Sequence, residues 1–434
     1  MITEEKPRSV AAVGEPLAEC ARRLALEGFT PHYDERAMQF RDDPVWVALR
    51  DLDTALWLDT GDLDEARSLW TRQFSNLTTN NTLVNKEAQK GLFDAMIPQA
   101  ARALREADPR IDEETLAYEL GFILNCRNAL RLVEAFDATV SVELHAALGD
   151  DVEASVAYGR RYYAVCPKRF LVKVPLTAAG FLAARQLANE GVPINYTLGF
   201  SARQNYLAAR FSHPQFVNVF MGRLNAFVAD NKLGDGEHVG EKATLASQRA
   251  ILKLRAQNPN GSRQIGASMR AAEQLYDLAG LDVFTMPTAV ARDFHRQMTE
   301  RPRQLTSQVD RDFDVTVNPG VDRRAIGIDH LWEIPDEVVA FADALEGIDV
   351  SGWDGERFAE LGRRHRVGDL FPRWSSADLE QIEADGKIPI YARWAERLAS
   401  GALGLDALMS TSALYSFVKD QRQLDDRIRS LMAR

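Results

Sequence analysis

Short apolar runs alternate along this chain with longer amphipathic ones. The runs are LWLDT (56–60), NLTTN (76–80), ATVSVEL (138–144), FLVKVP (170–175), PINYTL (193–198), FVNVFM (216–221), RQIGASM (263–269) and DVFTMP (282–287). Rich in Val, Ile, Phe, Tyr and Thr, they predict β-strands. Between them, TAAGFLAARQLANEG stops on Gly191 as a helix should. EKATLASQRAILKLRAQ and IDEETLAYELGFILNCRNALRLVEAF have the same amphipathic character. Eight strands alternating with helices predict an α/β fold, the (β/α)8 TIM barrel.

Residues two apart on a strand share a face. One face then collects Trp57 with Asp59, Asn76 with Thr78 and Asn80, Thr139 with Ser141 and Glu143, and Leu171 with Lys173 and Pro175. The later strands add Asn195 with Thr197, Asn218 with Phe220, and Gln264, Gly266, Ser268 and Arg270. The opposite face is mostly apolar, including Val140, Val172, Ile194, Val219, Ile265, Ala267 and Met269, and is assigned to packing against helices. The polar face is assigned to the barrel lumen. Its polar members gather toward the C-terminal strand ends, where barrel enzymes build their sites.

Lys173 is the sharpest of these residues. It interrupts an otherwise apolar strand bounded by Pro167 and Pro175, and lysine is rarely buried without a partner or a task. A simple ion pair with Glu143 would account for a lone strand lysine. The common direction of so many polar groups favours chemistry instead. A confined lysine loses hydration and holds more free amine, which attacks a ketone to give a Schiff base. Such chemistry needs proton shuttles, and Asp59 and Glu143 are the candidates. Asp59 is not needed as a helix cap, since Asp62 is better placed. Asn80 and Asn195 are the residue type of turns but sit inside strand-like runs. Thr197 also suits a strand merely by being β-branched. Arg223 and Arg270 suit a phosphate site at the barrel mouth, against the plainer reading of paired surface charges.

Composition narrows the partners. The 434 residues can bury a large core, and their formal net charge of −11 argues against nucleic acid or an anionic membrane as partner. Cys20, Cys126 and Cys166 have no metal-ligand spacing, and neither have the seven histidines. No run reaches the length of a membrane span, and MITEEKPRSVAAVGEP lacks an apolar targeting core, so a cytoplasmic location is expected. The sequons at Asn76, Asn80, Asn195 and Asn260 carry no glycosylation reading in that setting, and GDGEHVG (234–240) reads as a solvent loop.

Taken in order, LDTGD, LTTN, SVEL, FLVKVP, NYTLGFS, VFMGR, GASMR and LAGLDVFTMP resemble the motifs of the transaldolases, a family of Schiff-base aldolases. FVKDQRQLDDRI resembles the helix that closes the family's fold. The likeness covers residues 55–299 and the last two dozen. It implies a TIM barrel with the Schiff-base lysine at Lys173 and acid/base groups at Asp59 and Glu143, Glu143 acting through a water held by Thr197. It implies that Asn80 and Asn195 hold substrate hydroxyls and that Arg223, Ser268 and Arg270 hold phosphate. Neither metal nor organic cofactor is implied. The implied activity moves a dihydroxyacetone unit from a ketose phosphate to an aldose phosphate, as in the pentose phosphate pathway.

Asn81 and Thr82 stand where the family usually has Pro-Ser, and Asn218 stands where it commonly has Ser, leaving the acceptor open. Phe220 and Glu143 match transaldolases, whereas the related fructose 6-phosphate aldolases carry Tyr and Gln there. The rivals are such an aldolase, a transferase for an unusual sugar phosphate, and a catalytically silent barrel that binds a protein. Expected segments are an N-terminal helical extension (1–50), the barrel (51–300), a helical insertion (301–410) and a closing helix (411–434). Both added segments are expected to cover the barrel or form an interface, which leaves a homo-oligomer open.

Overall fold

In the computed structural model, residues 6–7, 10–30 and 38–432 are described. The start of the N-terminal stretch read for a targeting core, Met1–Glu5, lies outside them, as do Ala433 and Arg434. All eight expected strands form: β1 (Ala55–Asp59), β2 (Phe74–Thr78), β3 (Thr139–Glu143), β4 (Phe170–Pro175), β5 (Ile194–Thr197), β6 (Phe216–Phe220), β7 (Arg263–Ala267) and β8 (Val283–Pro287). They pair in chain order into a closed parallel barrel, a TIM barrel with alternating helices. Register sets the site: Glu143 lies beside Lys173, and Lys173 beside Asn195.

Contacts between strands that are not neighbours identify the lumen. Trp57 of β1 meets Phe216 of β6 edge to face at 4.7 Å, and Asn195 of β5 donates to Ser141 of β3 at 3.0 Å. Aromatic rings therefore fill the lower layer, and polar groups the upper one.

Two strand readings are corrected. β2 ends at Thr78, so Asn80 lies beyond it and is a turn residue after all: its Oδ1 caps the helix Asn81–Gln89 by accepting from the Leu83 N–H at 2.8 Å. On β7 the faces are reversed. Gln264 packs outward against Asn205 and Ser247 on two barrel helices, while Ile265 and Ala267 line the lumen beside Asn218 and Phe220. The sequence reading extended the alternation through Ser268, but the strand stops at Ala267 and Ser268 takes φ +59°. That left-handed turn re-aims the chain.

Added helices wrap the barrel. Pro16–Leu26 packs on Glu113–Phe136, and Trp46 of Pro44–Arg50 lies buried between Phe74 and Phe294. In the insertion, Phe341, Phe358 and Phe371 pack as one cluster on Phe181 and Phe211 of the barrel helices. Arg203 fastens the same side. Its guanidinium donates to Asp406 at 2.7 and 2.8 Å and pairs with Asp369 at 2.7 Å, with all but Asp369's edge buried. Asp406 opens the long final helix, Leu405–Met432. None of the described helices is long and apolar enough to cross a membrane.

Candidate active site

The strand FLVKVP is buried along its whole length, and alternation turns Lys173 inward while Val172 and Val174 face the helices. Pro175 ends the strand, and Thr177 caps the next helix through a bond from the Gly180 N–H at 2.9 Å. The Lys173 ammonium, buried, lies 3.5 Å from Glu143 Oε1 and donates to the Thr79 carbonyl at 3.3 Å. Glu143 Oε2 accepts from the Asn81 backbone N–H at 3.2 Å. A proline at 81 would lack that donor, so the departure from the family pattern bears directly on Glu143.

Asp59 reaches in from the end of β1. Thr78 donates to it at 2.6 Å, and the Thr78 hydroxyl is itself 2.7 Å from that of Thr285 on β8. Asp62 caps the helix after β1, as read from sequence, which leaves Asp59 to the pocket. Asp59 keeps part of its surface open to the pocket. Protein nevertheless surrounds it closely enough that lost hydration pushes its carboxyl up, against the pull of the Lys173 charge and the Thr78 bond. Burial likewise pushes Glu143 up, opposed first by Lys173 and then by the Asn81 N–H. At both carboxyls burial outweighs the nearby positive charge.

The pocket has a volume of about 390 Å³ and joins Asp59, Asn80, Lys173, Asn195, Asn218 and Phe220 to Arg223, Ser268 and Arg270. Cavities of about 880 and 410 Å³ lie against the insertion, but no residue of the eight strands lines them. Size alone does not pick the site. Glu143 and Thr197 do not line it: both are buried on the strands flanking that of Lys173. Thr197 Oγ1, Asn195 Oδ1 and Glu143 Oε1 have no hydrogen-bond partner among the described residues. Buried polar atoms of that kind call for a ligand or water.

Asn218 is more engaged than the sequence suggested. Its amide donates to the Tyr196 carbonyl and accepts from the Gly199 N–H at 3.4 Å. It thereby ties β6 to β5, which share one register pair.

Arg223 stands in the first turn of the helix Met221–Asp230 and is buried, with its Nη1 unpartnered among the described residues. Burial and the neighbouring Arg270 charge push its pKa down to about 10. A side chain on Gly222 would collide with the Ser268 carbonyl and the Arg270 side chain, so glycine lets this helix start close to them. The two positive charges repel each other, a repulsion that an anion between them would relieve.

Several lining residues were not singled out from sequence. Thr285 continues the inward alternation of β8 and could have been read from it. Phe417 and Asp420 come from the final helix, three apart on one face, and Thr82 donates to Asp420 at 2.6 Å. The Phe417 ring centre lies 6.0 Å from the Lys173 ammonium and 5.5 Å from the Arg223 guanidinium. With Phe200 and Phe220 it forms an aromatic wall. Lys86 and Lys387 complete the cationic rim.

Fold and site together define a parallel barrel enclosing a strand-four lysine between two carboxyls, beneath a cationic mouth. The chain belongs to the transaldolase/fructose-6-phosphate aldolase family, whose model matches residues 56–347. It is 29% identical over 265 residues to a transaldolase of Xanthomonas oryzae pv. oryzae, spanning 59% of this chain and 80% of that protein. To a transaldolase of Glaesserella parasuis it is 27% identical over 326 residues, 72% of this chain and 97% of the relative. A probable transaldolase of Dictyostelium discoideum is 26% identical over 304 residues, 68% and 91% of the two chains.

Proposed function

We propose that the chain is a transaldolase working through a Schiff base on Lys173. The observation that carries this reading is the buried Lys173 ammonium, 3.5 Å from Glu143, at a pocket where burial raises the carboxyls of both Asp59 and Glu143. The Lys173 amine attacks the C2 ketone of fructose 6-phosphate or sedoheptulose 7-phosphate. Glu143, through a water held by the Thr197 hydroxyl, moves the protons that let the carbinolamine lose water. Asp59 takes the C4 hydroxyl proton as the C3–C4 bond breaks, and a dihydroxyacetone enamine stays on Lys173. An aldose phosphate then captures it. Arg223, Ser268 and Arg270 bind the phosphate, Asn195 and Asn80 the hydroxyls. Asn80 does so with the amide end that its capping role leaves over.

Phe220 favours transfer over simple cleavage. It packs between Phe200 and Phe417 and has no proton to give the enamine. The three-carbon unit therefore waits for its acceptor. Borohydride reduction in the presence of fructose 6-phosphate tests the reading: it should fix a covalent adduct on the peptide carrying Lys173. Free dihydroxyacetone should appear slowly without erythrose 4-phosphate, with much faster turnover once it is added. No adduct would refute the mechanism, and rapid release indifferent to acceptor would favour an aldolase.

A further inference from the structure

The family match ends at residue 347, yet Lys387 lines the pocket. It belongs to the loop joining two insertion helices, Ser376–Asp385 and Tyr391–Ala399. That loop is built, not trailing. The Asp385 carboxylate accepts from the Ile390 N–H at 3.0 Å and from the Trp394 indole at 2.8 Å, and pairs with Arg393. On the other side Asn231 donates to the Pro389 carbonyl at 2.9 Å and accepts from the Tyr391 N–H at 2.8 Å. Asn231 closes the helix Met221–Asp230, whose first turn carries Arg223. One helix therefore positions both the buried arginine and the loop that presents Lys387.

The charge count at the pocket is uneven. Lys86, Lys173, Arg223, Arg270 and Lys387 line it against Asp59 and Asp420, with Glu143 paired to Lys173 beside it. Lys387 itself forms no ion pair with a described carboxylate. Lys387 is exposed on the rim that this loop places over the pocket, and the excess of positive charge there favours an anion.

Resting on the reading above, we infer that Lys387 is a specificity-determining residue. Its ammonium joins Arg223 and Arg270 on the terminal phosphate of the sugar substrate, so the insertion selects phosphorylated over free sugars.

Glucitol 6-phosphate tests this without chemistry, because it has no ketone for Lys173 to attack. Calorimetric titration of the full chain should show Lys387→Met weakening its binding about 3- to 10-fold, with a shallower salt dependence, and Lys387→Arg restoring it. In turnover, KM for fructose 6-phosphate should rise in the Met variant with little change in kcat. Unchanged affinity in Lys387→Met would overturn the inference, as would failure of the unmodified chain to bind glucitol 6-phosphate. Normal binding without a borohydride adduct would count against the Schiff-base reading alone.

Discussion

Two clusters of buried charge in this molecule use similar ingredients to opposite ends. Around Arg203, the guanidinium meets Asp406 through two bonds, Ser201 adds a third at 2.6 Å, and the Ala407 N–H a fourth at 3.0 Å. Burial alone would raise Asp406, but the Arg203 charge and its hydrogen bonds outweigh it and hold the carboxyl below its usual range. Around Lys173 the same opposition of burial and cation ends with both carboxyls raised. The difference lies in saturation. A planar fork that engages both Asp406 oxygens stabilises charge, whereas the Lys173 ammonium pairs with Glu143 alone and reaches Asp59 only through its field, so burial wins at both carboxyls. Incomplete satisfaction, more than burial, separates the site from the scaffold.

The comparison breaks first at Lys173. Lys173→Met should cost at least about 10³-fold in turnover and abolish trapping, with the denaturation midpoint held or raised. Comparable activity in that variant would erase the distinction. The mirror experiment is Arg203→Met, which strands Asp406 and should cost about 3–5 kcal/mol in denaturant unfolding. Activity should fall only with the folded fraction. A smaller test falls on Arg223, which is buried like Arg203 but lacks its partners. Arg223→Gln should raise KM for fructose 6-phosphate about 10- to 100-fold while leaving stability unchanged or improved. A stability loss like that of Arg203→Met would make Arg223 part of the scaffold.

The smallest effect is in pH. Asp59 binds its proton more tightly folded than unfolded, so its contribution to stability falls as pH rises from the ordinary carboxylate range through its raised folded value. Asp406 is the reverse: its contribution is present above the ordinary Asp range and is lost as pH falls through the lowered value. Asp59→Asn should therefore gain on the unmodified chain as pH rises, and the deficit of Asp406→Asn should shrink in acid. Parallel pH curves for the two variants would remove the contrast.

The barrel was legible because its strands are buried runs whose period survives any tertiary context. Lys173, Glu143 and Asp59 were legible for the same reason, as polar interruptions with the lumen's parity. The parity failed on β7, where Ser268 at φ +59° resets the chain and Gln264 finds partners on the helices. Asn80 was misplaced by two residues because LTTN looks equally like a strand and like a helix start. Phe417 and Asp420 lie in FVKDQRQLDDRI, which only the family resemblance marked as the closing helix and without their place in the pocket, and Lys387 was out of reach. Each lies far along the chain from the strands it joins, and no local pattern reports where a helix or an insertion loop comes back.

The helix Leu405–Met432 fixes a time as well as a place. It carries Phe417 and Asp420 into a pocket begun by Asp59, and Asp420 closes on Thr82 across nearly the whole chain. Contacts of such separation form late. The strands that hold Lys173 can pair before that helix docks, and the mouth then lacks its wall. Loss of this helix should abolish activity even where the barrel persists.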